Sequence, residues 1–435
     1  MQAQLLAWNS RCKMKRFLKK SFWPAPVAAI GLALIVAPMI RWLDEQTRWS
    51  ILGGGLDGAR SLVGNLPGAL LSLIVFFLSI LLIAVQLASS QYSQRIIARL
   101  FEQSRLKIVL AVFVFSHTYS LFALGRIEDR VPELPVMIAL LMNLISLGLF
   151  LYMIQVVGEQ FRPVVILGDV AAATGKVFDQ MCPNPFIESA QDKVTQKKSP
   201  GCSGRTLVYH GKAKTLIAFD QTGLVQMAAE QDCTLEIAVA VGELVVEGQA
   251  LFYVVGPGAN KVDETAIMQH VLFDVERVLD QDPAFGIRIL VDIASRALSP
   301  AVNDPGTAAL AIDQLQMLLA MIGQRQLDAG IARDSAGVVR LIYPIGLWQD
   351  YVTSAVTEIR LYGATSPMIS RRLMAMFEHL LQVLPESRQA EIQHEIVLLQ
   401  KNVELNYPTE QDQVIAATAD FLGFGAKRAS CRLKE

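Results

Sequence analysis

The chain has 435 residues, enough for two or three domains, and it is 52% apolar with a mean hydropathy of +0.38. Its 39 basic and 40 acidic residues leave a net charge of −1, which argues against a nucleic-acid partner, because such proteins carry a strongly basic field. The five cysteines, Cys12, Cys182, Cys202, Cys233 and Cys431, are scattered and form no CxxC pair, so reduced cytosolic thiols are expected rather than a zinc site or a disulfide framework.

Four uncharged apolar runs occupy the first 160 residues: Ser21–Ile40, Ser61–Gln94, Ile108–Gly125 and Leu134–Gly158. A helix needs roughly 20 apolar residues to cross a bilayer core of about 30 Å. The pattern predicts four transmembrane helices, and the remaining residues carry no such run. Before the first run stand Arg11, Lys13, Lys15, Arg16, Lys19 and Lys20. This arrangement also fits a signal peptide, but the run reaches Arg41 without a small-residue cleavage site, so an uncleaved anchor is expected. The second loop is also basic, with Arg95, Arg99, Arg105 and Lys107, whereas the first and third loops are acid-diluted or poor in basic residues. The positive-inside rule then puts both termini and the whole tail in the cytoplasm of a bacterial inner membrane. Trp23, Trp42 and Trp49 fit interfacial anchors of the first helix. Asn65, Pro67 and Gly68 mark the outer end of the second span, which is expected near Leu70–Ser90 with a polar continuation toward Leu100.

The polar residues at membrane depth are Gln86, His117, Asn143 and Gln155. Such residues are costly in lipid and face a cavity or a partner. Two readings stand for His117: a protonatable gate or relay, or a neutral imidazole hydrogen-bonded between helices. Four helices enclose little space, so a pore along these residues would need several subunits in a ring. Arg95 and Arg99 share a helical face at the inner membrane surface, where they serve topology, attract anionic lipid head groups, or dock the tail.

The sequence divides as 1–160 transmembrane, 161–205 connecting segment and linker, 206–260 a small β-rich module and 261–435 a helical cytoplasmic domain. Residues 183–205 are too polar and proline-rich to bury a core. Thr206–Tyr209, Thr215–Phe219 and Thr234–Val241 alternate with β-branched residues and predict strands. The phrase VGELVVEGQAL, Val241–Leu251, resembles the strand-turn-strand of biotinyl- and lipoyl-type barrel-sandwich domains, but Lys212 and Lys214 lack the neighbours of a modifiable lysine. From Asp263 onward the pattern reads as helices, over Pro305–Ile322, Gln349–Tyr362, Pro367–Leu384, Ser387–Leu405 and Thr409–Leu422. Arg288, Asp292 and Arg296 form a charged ladder at a spacing of four.

The strongest candidate site in the tail is the bend Arg296, Ser299, Asn303, Asp304 and Thr307, which opens onto a helix N-terminus. A small anion held by backbone N–H groups and Arg296 is one reading. The other is structural: Pro300 and Pro305 stop and restart the helix, and Asp304 caps it with its own carboxylate. There is no phosphate-binding loop, GxSxG or HExxH, and His117, His210, His270, His379 and His394 lie far apart, so neither an enzyme nor a bound cofactor or metal is expected.

Three segments carry a family resemblance: ASSQYSQRI (Ala88–Ile96), DIASRALSPAVNDPGTA (Asp292–Ala308) and IRLYGATSP (Ile359–Pro367). With the four-span N-terminal half they resemble the bacterial predicted membrane protein family catalogued as domain of unknown function 2254. In that family the first segment commonly reads closer to HQFSPR, from which Tyr92 and Gln94 depart. The resemblance covers almost the whole chain and implies the architecture, with no assigned reaction or substrate. The expected function is an oligomeric channel or transporter-like protein gated by its tail. The alternative is a membrane-tethered sensor or scaffold whose tail binds a partner or a small anion.

Overall fold

The computed structural model describes residues 12–14, 16–18, 21–47, 56–91, 104–125, 132–187, 204–327 and 330–420. It divides into a membrane unit, Lys13–Val165, and a tail unit that takes in everything from Ile166 onward. Arg95, Arg99, Tyr92 and Gln94 lie outside the described residues, as do Cys202, Cys431 and most of the expected linker.

The membrane unit is built from α1 (Pro24–Thr47), α2 (Leu56–Gln91), α3 (Ser104–Leu124) and α4 (Glu133–Gln160). Helix α3 touches each of the other three and supplies most of the interior. Leu70, Phe77, Phe113, Tyr119 and Met153 are buried there, with Phe77 edge-on to Phe113 at 5.6 Å between ring centroids. Leu71, Val75, Phe76, Leu82, Leu144 and Leu151 point outward. A bundle that is apolar on both sides of each helix needs lipid around it, since water would face several hundred Å² of hydrocarbon.

Helix α2 starts at Leu56, 14 residues before the expected Leu70, and it runs through Pro67. Asn65, Pro67 and Gly68 therefore lie within the helix rather than at its start. Proline is tolerated inside membrane helices because neighbours take up the freed backbone groups. Here the polar side chains also bond their own turns: Asn65 Nδ2 donates to the Ser61 carbonyl and Ser72 Oγ to that of Gly68, each at 2.9 Å.

The tail unit begins with a helix in what the sequence suggests is a connecting segment. Helix α5 (Pro163–Met181) buries Ile166, Leu167, Val170, Ala171, Thr174, Val177 and Phe178 on one face. Its end is pinned: Phe186 N–H donates to the Gln324 carbonyl at 2.9 Å, and Pro185 bridges to Arg325. The Phe186 ring lies 4.5 Å from the guanidinium of the buried Arg388, whose other aromatic neighbour is Trp348 at 5.5 Å. Burial pushes the Arg388 pKa down.

Strands β1 (Arg205–Val208), β2 (Lys214–Phe219), β3 (Thr234–Ile237), β4 (Leu244–Val245), β5 (Ala250–Val255) and β6 (Val271–Asp274) follow, with helix α6 (Gln221–Glu230) between β2 and β3 and the short α7 (Glu264–Met268) before β6. Two further strands, β7 (Ile331–Arg333) and β8 (Val339–Ile342), come much later. They form a five-stranded sheet, β1-β5-β3-β8-β7, and a three-stranded sheet, β4-β2-β6. The expected module boundary at 260 is thus corrected. β6, β7 and β8 belong to these sheets, and β8 pairs in parallel with β3, Leu235 opposite Leu341. The barrel-sandwich resemblance holds only locally: Gly242 and Gly248, at φ +93° and +81°, make the turns around β4, but α6 and the parallel β8 depart from it.

The helical part comprises α8 (Pro283–Ala297), α9 (Pro305–Gly323), α10 (Trp348–Tyr362), α11 (Pro367–Val383), α12 (Gln389–Asn406) and α13 (Glu410–Ala417), close to the expected ranges. By length and composition α9 is a fifth candidate membrane span. Its setting is that of a core helix. It packs on α8, α10 and α11, buries Ala308, Ala311, Ile312, Leu315, Leu318, Leu319 and Ile322, and its Asp313 pairs with Arg372 of α11 at 2.5 Å.

Candidate functional site

The membrane unit carries a cavity of about 210 Å³ at the end of the bundle where α1 and α3 finish and α4 begins. Its walls are helical stripes. Pro38, Arg41, Trp42 and Glu45 recur at i, i+3, i+4 and i+7 on α1, with Ala37 beside them; Tyr119, Phe122 and Ala123 recur at i, i+3 and i+4 on α3. Pro132 and Pro135 close it from the start of α4. Arg41 and Glu45 form an ion pair at 2.9 Å on the rim, and Trp42 beside them is mostly exposed. The small side chains of Ala37 and Ala123 leave the space, and the prolines fix the backbone around it.

Behind the cavity lies Asp44, a carboxylate only 3% exposed. Its Oδ1 accepts the Leu134 backbone N–H at 3.0 Å. Helix α4 has no capping side chain of its own, because Pro132 occupies its N-cap position. Asp44 from α1 therefore caps α4 across the bundle and meets the positive end of its dipole. Nearby, the Tyr119 hydroxyl points to the Pro135 carbonyl at 3.4 Å.

The membrane residues singled out from the sequence separate into two groups. His117 Nδ1–H donates to the Pro67 carbonyl at 3.1 Å, joining α3 to α2 at the proline inside that helix. A carbonyl only accepts, so this bond fixes the proton on Nδ1. Next to it, Ser146 Oγ bonds Ser116 Oγ at 3.0 Å in the fully buried interior between α4 and α3. Gln86 and Gln155, by contrast, sit on the outside of the bundle, Gln155 donating to Glu159 on its own helix at 3.0 Å. Asn143 is half-buried.

In the tail, the bend at 296–307 is an exposed cap rather than a pocket. Asp304 Oδ1 accepts the Thr307 N–H at 3.1 Å and Oδ2 accepts the Thr307 hydroxyl at 2.5 Å, so the N-terminus of α9 is occupied by its own carboxylate. Ser299 Oγ donates to the Arg296 carbonyl at 2.7 Å, and Asn303 turns the chain at φ +49°. Arg296 and Asn303 are exposed. The ladder works as a clamp instead: Arg288 pairs with Asp292 at 2.8 Å and with Glu358 of α10 at 2.5 Å.

Sequence reasoning also missed a buried acid–imidazole pair. His270 Nδ1 donates to Asp220 Oδ2 at 3.1 Å, and Asp220 Oδ1 caps α6 by accepting the Gly223 N–H. His270 is 2% exposed and sealed by Gly223, where any Cβ would overlap the imidazole ring. An imidazole so enclosed packs the module and meets no substrate. Among the described residues there is no cluster of His, Cys, Asp and Glu able to hold a metal.

Residues 19–379 match the family described as predicted membrane protein, domain of unknown function 2254. The chain belongs to this family. Similar proteins include uncharacterized proteins of Mycobacterium bovis and Mycobacterium tuberculosis, each 26% identical over 429 residues that cover 94% of this chain and 81% of the relative. No solved structure matches. Family membership agrees with a membrane location and with the apolar helices, and it carries no chemistry to the cavity.

The signal that would have revealed the cavity was present in the sequence. Read as one helix, 24–47 aligns Pro38, Arg41, Trp42 and Glu45 on one face. Ending the first apolar run at Ile40 concealed that stripe.

Proposed function

We propose that this membrane protein acts as a tethered sensor or scaffold without catalytic activity, in which the bundle holds a small amphipathic ligand and the tail carries the output. The observation behind this reading is the contrast within the bundle. Its interior is filled by Phe77, Phe113, Tyr119 and Met153, while about 210 Å³ stays open beside an ion pair at one end. A filled four-helix core supports no aqueous path along its axis, whereas a mostly apolar cavity with a few polar groups has the form of a ligand site. By the positive-inside rule, the tail and the N-terminus are cytoplasmic and the cavity faces the outer leaflet.

A second reading, an oligomeric channel, draws on Gln86 and Gln155. Polar side chains on the outside of a lipid-facing bundle are better placed if a neighbouring subunit covers them. The two readings separate in one experiment: determine the subunit number in detergent, then measure ion flux after reconstitution. The sensor reading expects no flux at any pH or voltage. A closed ring whose current changes with Gln155→Leu would replace it with the channel.

A further inference from the structure

The walls of the cavity discriminate among ligand classes, a selection that rests on the cavity being a ligand site at all. We propose that the cavity binds one zwitterionic phospholipid of the phosphoethanolamine type, its phosphate at Arg41, its ammonium at Glu45 and part of one acyl chain between α1 and α3.

Charge complementarity selects the head group. Arg41 and Glu45 stand one turn apart and already face each other at 2.9 Å, with 41% and 58% of their side chains exposed. A head group with a phosphate and an ammonium a few bonds apart satisfies both charges at once. An anionic head group satisfies Arg41 and is repelled by Glu45; a cationic amphiphile meets the reverse. Trp42, beside them in the lining, supplies an aromatic ring for the ammonium. Guanidinium and phosphate match as a bidentate pair, which fixes the orientation of the lipid.

The apolar part selects a chain. Around the pair the lining includes Ala37, Pro38, Phe122 and Ala123, with no charge among them. The volume of about 210 Å³ exceeds the roughly 150 Å³ of an apolar cavity that takes up benzene, so a short stretch of alkyl chain fits. The neighbouring carboxylate, Asp44, is occupied by the Leu134 N–H and does not line the cavity. A charged pair beside an apolar lining matches the two parts of a phospholipid at the membrane interface, with Trp42 at the level where tryptophan anchors.

The test uses the full chain purified in non-ionic detergent. Native mass spectrometry counts adducts after addition of dioleoylphosphatidylethanolamine or dioleoylphosphatidylglycerol. One phosphatidylethanolamine per chain is expected, favoured over phosphatidylglycerol by about fivefold, the order of one exposed charge pair. Ala123→Phe fills part of the cavity and should remove the adduct. Because that variant also risks misfolding, Glu45→Gln provides a second readout: it keeps the shape and should lose the preference or invert it toward phosphatidylglycerol. Equal affinity for the two lipids in the wild type, or an unchanged preference in Glu45→Gln, overturns the lipid class. Phosphatidylglycerol bound more tightly and removed by Ala123→Phe would overturn the class while leaving the cavity as a ligand site. Adducts of either lipid that survive in a monodisperse Ala123→Phe protein would overturn both readings.

Discussion

Gly286 and Thr174 give the sharpest test of how the tail is built. Gly286 sits in the first turn of α8 and packs on Thr174 of α5, which is fully buried and donates its hydroxyl to the Val170 carbonyl at 2.7 Å. A Cβ at position 286 would overlap Thr174 Oγ1 and lie 2.7 Å from Cγ2 and 2.8 Å from Cβ. The last contact matters most, because a Cβ moves only with its backbone. Gly286→Ala must therefore push α5 away from α8, and overpacking of this kind costs about 1–3 kcal/mol. For a domain of roughly 150–250 residues each kcal/mol shifts the midpoint by about 2–4 °C, so the expected fall in thermal midpoint is several degrees. Thr174→Ala removes the two atoms that a rotation or truncation can remove and leaves the 2.8 Å contact. The double variant should recover part of the loss, with a coupling of about 0.5–3 kcal/mol between the two sites. The assay is thermal unfolding of the full chain in detergent for the wild type, both single variants and the double. If Gly286→Ala unfolds with the wild type, or if the two effects simply add, α5 is not seated on α8 as described.

Two further predictions concern carboxylates. Asp44→Ala removes the acceptor of the Leu134 N–H and should destabilise the bundle by about 0.5–2 kcal/mol, the usual cost of a lost N-cap, whereas Asp44→Asn keeps an acceptor oxygen and should lose less; loss of helical circular dichroism on heating measures both, and an Asp44→Ala protein as stable as the wild type would remove the cross-bundle cap. Asp334 holds the turn between β7 and β8, where Arg340 first, then the Val338 and Ala336 N–H groups, keep its pKa below the ordinary carboxylate value. A depressed folded pKa contributes stability that is present above the unfolded value and lost as pH falls through the folded one. Amide exchange in residues 331–342 should therefore rise, relative to the rest of the tail, as pH drops below about 3.9, and Asp334→Asn should abolish that rise; exchange with the same pH profile in both proteins would refute the assignment.

The helices were legible because hydrophobicity and punctuation agree there. Asp304-Pro305 announces α9 as an N-cap and first-turn pair, and the structure begins α9 at Pro305 and α11 at Pro367, the starts expected for both. Three features were hidden for physical reasons. Helix α5 follows α4 with only Phe161 and Arg162 between them, so its buried stripe reads as the fading edge of a span. The strands β6, β7 and β8 have three or four residues each, too short for a period of two to declare itself, and β8 finds β3 across about a hundred residues of sequence. Pro67 reads as a helix boundary because in water it usually is one; inside the bundle α2 runs on through it, and His117 of α3 ties that turn by bonding the Pro67 carbonyl. In the candidate site the residue types were visible, but their convergence was not. Asp44 carries no local mark of its role, since its partner lies 90 residues away.

The hydrogen bonds around the cavity explain why it is a shape and not a packing fault. Pro38 and Pro67 lie inside α1 and α2, where each removes one N–H from the helical ladder, while Pro132 and Pro135 stand at the start of α4, where the first N–H groups have no intrahelical partner. Side chains from other helices tie these segments: His117 bonds the Pro67 carbonyl, the Tyr119 hydroxyl points to the Pro135 carbonyl and Asp44 accepts the Leu134 N–H. Each tie joins a side chain on one helix to the backbone of another, so it fixes the distance between helices and not merely a rotamer. A void bounded only by alkyl chains collapses as far as its lining can relax. Two of these ties, Asp44 to Leu134 and Tyr119 toward Pro135, join the helices α1, α3 and α4 that wall the void, so its shape is set before any ligand arrives. That preorganisation lowers the cost of binding, and it gives an apolar cavity of this size beside an ion pair the character of a site.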